Sequence, residues 1–521
     1  PKRGYIYDRN NKLLVSNQPS YDIMITPGLV GHMDTTEFCE LLKIDKNIFK
    51  KKIRITSNYS KKIPSVFLAH ISKEDYGYLA EKIRKYKGFY IQKRNLREYN
   101  TRSGANVLGF VAEVNRRNIE NDSFYSNGDI IGKQGVELSY EKYLRGEKGI
   151  KFIQKDRFNR EIGSFNNGKN DITAIAGNDI SITIDSELQE YGEKLMNNKK
   201  GAIVAIEPKT GEILSLVSGP SYDPNLLVGR ERSKNYFSLY KDSIFTPLID
   251  KSLLSNFPAG SPFKIINGLI GLEEGVINDK STIFCNGSYI YGKNKKSMKC
   301  HCSGGYKNIY NAISESCNSF FAETYVKIIN KNSNINKNFD DWSENVKSFG
   351  LGNFLNNDLP IGKKGVIPDS DFYNNWYPDF RWGALTTLSN SIGQGEILVT
   401  PIQLANMISV VANKGYYYTP HVIKNIEGDS ISDRFSQKKI TKIDKKFFDK
   451  VEIGLFDVFL NGTAKQLKVK GIDICGKSGT AENFTKINGK KTQLTDHSIF
   501  VAYAPKDDPK IAIAVVVENG Y

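Results

Sequence analysis

Three short motifs in this chain carry side chains suited to acyl transfer. They are Ser261-Pro262-Phe263-Lys264, Ser316-Cys317-Asn318 and Lys477-Ser478-Gly479-Thr480. A serine hydroxyl is a poor nucleophile without a base, and a lysine serves as that base only when its pKa falls below its usual value of about 10.4. Each motif alone occurs by chance in many proteins. Together, in this order, they indicate a serine acyltransferase.

The first motif lies at the start of a predicted buried helix. Gly260 ends the preceding segment, Pro262 suits a first helical turn, and apolar residues then continue on all sides. Ser261 is therefore predicted at the helix N-terminus, with Lys264 one turn later on the same face. Burial, the helix dipole and the like charge of Lys477 would each lower the pKa of Lys264. A capping serine and an exposed lysine are commoner for this motif alone, but the other two motifs favour catalysis.

The chain resembles the class B penicillin-binding proteins, and within that class it is most similar to the penicillin-binding protein 2 group. The resemblance covers nearly the whole sequence and is carried, besides the three motifs, by RGYIYDRN at 3–10, REY at 97–99, GKQGVE at 132–137, IDSELQ at 184–189 and DHSIF at 496–500. The KSGT motif departs from the usual form of the family but keeps the hydroxyl. The resemblance implies a serine-type D-Ala-D-Ala transpeptidase that cross-links peptidoglycan stem peptides and is covalently inhibited by β-lactams.

Roles for the first two motifs follow from this resemblance. Ser261 is the nucleophile and Lys264 its base. Ser316 relays a proton between Lys264 and the leaving group, and Asn318 holds Lys264 and a substrate amide. Ser316 also suits a helix cap before the apolar run that begins at Phe320, and the two interpretations are compatible.

The third motif is expected to begin a strand at the edge of a sheet. By resemblance, Lys477 supplies a fixed positive charge, and Ser478 and Thr480 bind a substrate carboxylate. Gly479 lets the acyl chain approach the backbone, and the Thr480 N–H is an oxyanion donor beside the helix N-terminus. A free strand edge can also pair with an extended peptide.

Length and turn chemistry predict two domains. A chain of 521 residues is too long for one core, and the turn-rich stretch 166–171 marks a linker. We expect an N-terminal domain over 1–172, with strands at 4–8 and 12–16, and a catalytic domain over 173–521. The resemblance implies that the first is an elongated α+β pedestal, similar to a dimerisation domain.

The catalytic domain is predicted to be α/β. A hairpin over 202–206 and 213–217 and strands near 498–504 and 510–518 suggest one antiparallel sheet built from both ends of the domain. The resemblance implies five strands sandwiched by helices, plus an all-helical subdomain.

Four cysteines surround the second motif: Cys285, Cys300, Cys302 and Cys317. Four thiolates could complete a tetrahedral structural zinc site, although the gap between Cys285 and Cys300 is longer than in a zinc ribbon. Disulfides and free thiols are the alternatives. Some relatives carry zinc here with partly different ligands. Catalysis itself is expected to need no cofactor. Cys39 and Cys475 are isolated and predicted to be buried.

The formal charge of +16 admits two interpretations. It could attract an anionic membrane or polymer, or it could reflect lysines dispersed over solvated faces. No nucleic-acid-binding motif accompanies it, and the longest apolar run is too short to span a bilayer. Because the chain starts at Pro1, we expect a fragment that lacks an upstream segment. The resemblance implies a single-pass anchor in the cytoplasmic membrane, a periplasmic catalytic domain, and a membrane glycan polymerase of the SEDS type as partner.

Within the family that the chain resembles, the opening segment and the cysteine-bearing insertion favour a role in cell elongation. A division-type transpeptidase shares all three motifs. A carboxypeptidase or β-lactamase would use the same acyl-enzyme, but the chain length and the pedestal disfavour the latter. A non-catalytic scaffold or penicillin-sensing receptor would acylate slowly and would not cross-link.

Overall fold

Two large sheets organise the protein, one built mainly from the N-terminal half of the chain and one from the C-terminal half. The computed structural model describes residues 1–71, 73–157, 161–487 and 490–520. The strands of the first half are β1 (Ile6–Tyr7), β2 (Leu13–Ile25), β3 (Ser65–Ile71), β4 (Phe89–Tyr99), β5 (Val111–Glu113), β6 (Ile130–Gly132), β7 (Ile153–Lys155) and β8 (Glu161–Ser164). Its helices are α1 (Thr35–Leu42), α2 (Lys46–Tyr59), α3 (Lys73–Lys82), α4 (Ala105–Leu108), α5 (Arg116–Asn121), α6 (Gly135–Ser139) and α7 (Glu141–Leu144).

The second half alternates strands with longer helices. Its strands are β9 (Ile180–Ile182), β10 (Gly201–Ile206), β11 (Ile213–Gly219), β12 (Ile283–Cys285), β13 (Ser288–Tyr291), β14 (Lys296–Lys299), β15 (Gly305–Lys307), β16 (Tyr416–Tyr417), β17 (Ile423–Ile426), β18 (Lys439–Ile440), β19 (Cys475–Ala481), β20 (Phe484–Ile487), β21 (Lys490–Gln493), β22 (His497–Ala504) and β23 (Ile511–Val517). Its helices are α8 (Ser186–Leu195), α9 (Arg232–Lys241), α10 (Lys251–Leu254), α11 (Lys264–Glu273), α12 (Ile309–Ser314), α13 (Asn318–Ile329), α14 (Ile335–Lys347), α15 (Ser370–Trp376), α16 (Pro401–Ala412) and α17 (Lys445–Leu460). Among the described residues, none of these helices is long and apolar enough to cross a membrane.

The catalytic sheet has five antiparallel strands in the order β11-β10-β23-β22-β19. The predicted hairpin forms its first two strands, and the predicted strands near 498–504 and 510–518 are β22 and β23. Every side chain of β10 and β11 is buried, because helices cover the sheet: α8 contacts β11, and α16 contacts β10, β22 and β23. The strand with the third motif, β19, lies at the edge, as the sequence predicted.

The N-terminal sheet includes strands from both halves. β1 and β2 form the predicted hairpin, and β2 continues to Ile25 with its inner residues in a separate aromatic core. β9 pairs with β1 in parallel, and β17 pairs with β9. The hydroxyl of Tyr140 also donates to Asp358 across the junction at 2.7 Å. The division after residue 172 remains a prediction, and strands from beyond it complete this sheet.

A buried ion cluster fixes the segment that opens the chain. Glu137 is fully buried and accepts from Arg3 Nε at 2.6 Å and from Arg97 Nε at 2.7 Å. Arg3 also reaches Glu141 at 2.6 Å. All of these residues lie in or beside three of the segments that carry the family resemblance. Their shared role is structural, because the cluster joins the N-terminus, β4 and α6.

Candidate functional site

Ser261 lies on a tight turn before a buried helix. Residues Ser261–Phe263 form a single 3₁₀ turn that continues into α11. Gly260 has a φ of +59°, a conformation that side chains other than glycine rarely adopt. A Cβ atom there would lie 3.0 Å from the carbonyl oxygen of Thr480. The turn therefore holds the serine directly beside the edge strand β19, at the predicted helix N-terminus.

Lys264 is buried in the first turn of α11 and is 1% exposed. Its Nζ donates to the Ser316 carbonyl at 2.8 Å, to Ser316 Oγ at 3.0 Å and to Asn318 Oδ1 at 2.5 Å. Burial lowers the pKa of Lys264 to about 8, partly opposed by the charges of nearby cysteines. A substantial neutral fraction near neutral pH is what a general base requires.

Ser316 lies between the nucleophile and the lysine. Its Oγ is 3.2 Å from Ser261 Oγ and 3.0 Å from Lys264 Nζ. Since a hydroxyl can both donate and accept, this geometry provides a proton path from Ser261 to Lys264. Ser316 has a φ of +58°, which is uncommon for serine and stores strain of about 1–3 kcal/mol. The N-cap of α13 is Cys317, so the interpretation of Ser316 as a helix cap was wrong.

Asn318 joins the catalytic pair to a neighbouring hairpin. Its side-chain oxygen accepts from Lys264, and its Nδ2 donates to the Lys299 carbonyl at 2.7 Å. Its backbone N–H points to the sulfur of Cys300 at 3.1 Å. The position of Asn318 therefore depends on β14 and on the cysteines that follow it.

Lys477 is fully buried on β19. Burial lowers its pKa well below the usual value, and the charge of Lys264 lowers it further. The like-charge effect that the sequence predicted between the two lysines is thus present. Because the two lysines repel one another, protonation of one disfavours protonation of the other. Lys477 Nζ donates to the Ser478 carbonyl at 2.8 Å.

The other residues of the third motif, Ser478, Gly479 and Thr480, are half-buried. The hydroxyl of Ser478 lies 3.0 Å from that of Thr463. A Cβ on Gly479 would lie 2.5 Å from the ring of Pro262, so glycine lets β19 pack against the turn that carries Ser261. From the sequence, a glycine was expected here so that the acyl chain could approach the backbone. The structure shows a different reason, which is the close packing of Pro262. Thr480 pairs with Ser498 on β22.

Two further residues support the site, and of these only Asn267 was missed. Asn267, the polar residue within the apolar run of α11, donates to the carbonyls of Asn390 and Ser391 at 3.1 and 2.9 Å. Gly393 has a φ of +71°, and a Cβ there would lie 2.3 Å from the Gly260 carbonyl oxygen. A polar residue in an otherwise apolar helix was the available signal for Asn267.

The four clustered cysteines meet beside the second motif. Their sulfur atoms all lie within 4.8 Å of one another, and three of the four residues are buried. The distances are 3.4 Å from Cys300 to Cys302, 3.7 Å from Cys300 to Cys317 and 3.5 Å from Cys302 to Cys285. None of the four forms a disulfide, and neither do the buried Cys39 and Cys475. Sulfurs around one zinc, each about 2.3 Å from the metal, would be similarly spaced.

Two family models match almost the whole chain. One, described as the penicillin binding protein transpeptidase domain, matches residues 201–521, and one, described as the penicillin-binding protein dimerisation domain, matches residues 1–182. The chain therefore belongs to the penicillin-binding proteins that carry a transpeptidase domain. The predicted family, fold class and transpeptidase class are confirmed.

Individual relatives agree with this assignment. The peptidoglycan D,D-transpeptidase MrdA of Acinetobacter baumannii is 31% identical over 544 residues, which cover 100% of this chain and 78% of that protein. The penicillin-binding protein PBP2 of Helicobacter pylori, in its complex with MreC, superposes with a TM-score of 0.80 at 25% identity and covers 100% of this chain and 94% of its own. The PBP2 of Pseudomonas aeruginosa, in complex with WCK 5153, gives a TM-score of 0.72 at 28% identity, with 100% and 91% coverage.

Proposed function

We propose that this protein is a peptidoglycan D,D-transpeptidase of cell elongation that works through an ester on Ser261. The observation that carries the proposal is the hydrogen-bond path from Ser261 through Ser316 to the buried Lys264. It supplies both a nucleophile and a base whose pKa suits neutral pH. The edge strand β19 beside this path offers a place for an extended peptide.

Acylation would proceed in a balanced sequence. Ser261 Oγ attacks the carbonyl carbon of the penultimate D-Ala while its proton passes through Ser316 to neutral Lys264. The tetrahedral intermediate then collapses, the bond to the terminal D-Ala breaks, and the same proton returns to the departing amine. The donor stem is left as an ester on Ser261.

The third motif would orient the donor. Lys477, Ser478 and Thr480 are proposed to bind its terminal carboxylate, with the Thr480 N–H and the N–H of Ser261 as oxyanion donors. Asn318 would hold the substrate amide while it holds Lys264. The amine of a second stem would then attack the ester carbonyl, the ester C–O bond would break, and a proton from the amine would return to Ser261 Oγ as the cross-link forms. A β-lactam would acylate the same serine by ring opening, and its leaving group would stay attached.

We also propose a structural zinc held by Cys285, Cys300, Cys302 and Cys317. Their spacing fits tetrahedral coordination, and backbone or hydroxyl groups lie against two of the sulfurs: Asn318 N–H at 3.1 Å from Cys300 and Ser319 Oγ at 3.2 Å from Cys285. Four protein ligands leave no position for a reacting water. The metal would stabilise the segment that presents Ser316 and Asn318.

We further propose that the protein acts outside the cytoplasmic membrane, where its stem-peptide substrate is found. A single-pass anchor would hold it at that membrane. We also propose the division into domains over 1–172 and 173–521 that was expected from the sequence. The pedestal would bind partners and take no part in the chemistry. The solved complex of a related PBP2 with MreC supports a partner of that kind. A glycan polymerase of the SEDS type is the second partner that we propose.

Labelling with penicillin tests the central claim. The intact mass of the protein should increase by the mass of one penicillin molecule, and peptide mapping should place the adduct on Ser261. Ser261→Ala should remove the adduct, whereas Ser297→Ala, which changes an exposed serine of the β13–β14 hairpin, should keep it. Undiminished labelling of Ser261→Ala would overturn the assignment. Labelling without cross-linking of stem peptides would favour a penicillin-sensing receptor.

A further inference from the structure

A strongly basic segment precedes the second motif in the sequence. Residues 280–314 contain no aspartate or glutamate, and they contain six lysines: Lys280, Lys293, Lys295, Lys296, Lys299 and Lys307. In a chain where acidic residues number 57 of 521, such a gap concentrates positive charge in one place. Within it, β13 and β14 form a hairpin whose connecting turn is Gly292 to Lys295.

The hairpin is fixed to the catalytic residues. The carbonyl of Lys299, the last residue of β14, accepts from Asn318 Nδ2 at 2.7 Å, and Asn318 Oδ1 accepts from Lys264. On the hairpin's inner face, Tyr289 donates from its hydroxyl to Glu323 of α13 at 2.9 Å. The hairpin is thus held at both its base and its face.

The lysines at the tip are left free for a ligand. Lys293, Lys295 and Lys296 are exposed, and no salt bridge joins them to an acid in the part of the chain that the structure describes. The acids beside the hairpin are already engaged, since Glu315 pairs with Lys307 at 2.8 Å and Glu323 accepts from Tyr289. Three unpaired cations on a fixed hairpin form an electrostatic binding surface for anions.

The distances suit a stem peptide bound at Ser261. Lys296 is three strand residues, or about 10 Å, from the Lys299 carbonyl that holds Asn318. The scissile bond follows the fourth residue of a five-residue stem, so the second residue of an extended stem lies about 7 Å from Ser261. The flexible four-carbon side chains of the tip lysines can span the remaining distance to a carboxylate on that residue.

We propose that Lys293, Lys295 and Lys296 bind a side carboxylate of the stem peptide, distinct from the terminal carboxylate assigned to the third motif. The inference rests on the proposed transpeptidase function. The ligand is a carboxylate on the second residue of the stem, as in isoglutamate, and a stem amidated at that position lacks it. The three lysines would then determine substrate preference without touching the reacting atoms.

Competition against penicillin labelling tests this without requiring turnover. Two synthetic stem pentapeptides would be used, identical except for isoglutamate or isoglutamine at the second residue. The measured quantity is the peptide concentration that halves the rate at which fluorescent penicillin labels the full chain. For the unmodified protein, the isoglutamate peptide should compete at about tenfold lower concentration, and about 0.5 M salt should remove this advantage, since screening then acts within a few ångströms.

The variant Lys293→Gln/Lys295→Gln/Lys296→Gln should lose the tenfold preference, while its labelling rate without competitor stays within about twofold of normal. A matched control, Lys50→Gln/Lys51→Gln/Lys87→Gln, removes the same charge from exposed sites of the pedestal and should keep the preference. Equal competition by both peptides in the unmodified protein, or an unchanged preference in the hairpin variant, would overturn the proposal. An unchanged preference in the hairpin variant would instead favour an acidic partner protein as the ligand of the three lysines. Absence of any labelling would instead contradict the proposed function.

Discussion

The rate at which penicillin acylates Ser261 should follow the deprotonation of Lys264. Burial lowers the pKa of Lys264 from 10.5 to about 8. The neutral fraction at pH 7 is then about 9%, against about 0.03% for a lysine that titrates at 10.5. Because the neutral amine is the base, the rate should rise with pH and level off above the pKa.

Single-turnover labelling with a fluorescent penicillin, measured from about pH 6 to pH 9.5, checks this. Below about pH 8 the acylation rate should fall about tenfold for each pH unit, since each unit reduces the neutral fraction by that factor. Circular dichroism at each pH would show that the fold is retained. A rate that stays constant between about pH 6 and 9 would refute the assignment of Lys264 as the base.

Two variants separate this explanation from a general effect of pH. Asn318→Asp places a carboxylate where the amide oxygen now lies 2.5 Å from Lys264 Nζ, and it should move the profile to higher pH by about one to three units. Lys264→Arg cannot lose its proton, so acylation should slow by roughly three orders of magnitude and lose its dependence on pH. A rate for Lys264→Arg within about tenfold of normal would assign the base elsewhere.

Three further predictions concern the structure around the site. Protein purified without chelator should contain about one zinc per chain. Both chelation and Cys302→Ser should lower the melting temperature and slow acylation, whereas Cys39→Ser should retain the metal. A zinc content near zero would rule the site out. Glu137→Gln should destabilise the fold by about 3–5 kcal/mol, because the buried Arg97 loses its carboxylate partner and Arg3 keeps only Glu141. Chemical denaturation measures this, and Glu120→Gln, in an exposed pair, should change stability by less than about 1 kcal/mol. Gly393→Ala should slow acylation at least about tenfold, since its Cβ would lie 2.3 Å from the Gly260 carbonyl oxygen; Gly362→Ala, with open space around it, is the control, and equal rates for both would contradict a role for Gly393 in positioning the Ser261 turn.

Much of the fold could be read from local patterns. The strand pairs β1–β2 and β10–β11, the tail strands β22 and β23, and the helix after Ser261 all follow from alternation, turn residues and apolar runs, which act over a few neighbouring residues. The resemblance then supplied the number of strands and the edge position of β19. The break at Tyr140 between the short helices α6 and α7, in contrast, has no Gly or Pro to mark it, so local patterns do not indicate it.

The candidate site shows where local patterns stop being informative. The sequence identified the three motifs as separate segments, and the residue types alone indicated a nucleophile, a base and a carboxylate-binding strand. It could not indicate that Ser316 would lie between Ser261 and Lys264, or that Gly479 would make room for Pro262. These contacts join residues between 52 and more than 200 positions apart.

The electrostatics, too, required the tertiary structure. A pKa depends on burial and on charges nearby in space. The sequence predicted that burial lowers the pKa of Lys264, and the structure adds that burial lowers the pKa of Lys477 as well, together with the nearby charge of Lys264. The same holds for the four cysteines, whose spacing in sequence left zinc, disulfides and free thiols open. Residue types and local periodicity thus determined the class of protein and its reacting groups. Packing alone decided which of those groups touch, because contact between distant segments is set by the assembled core and not by neighbours in the chain.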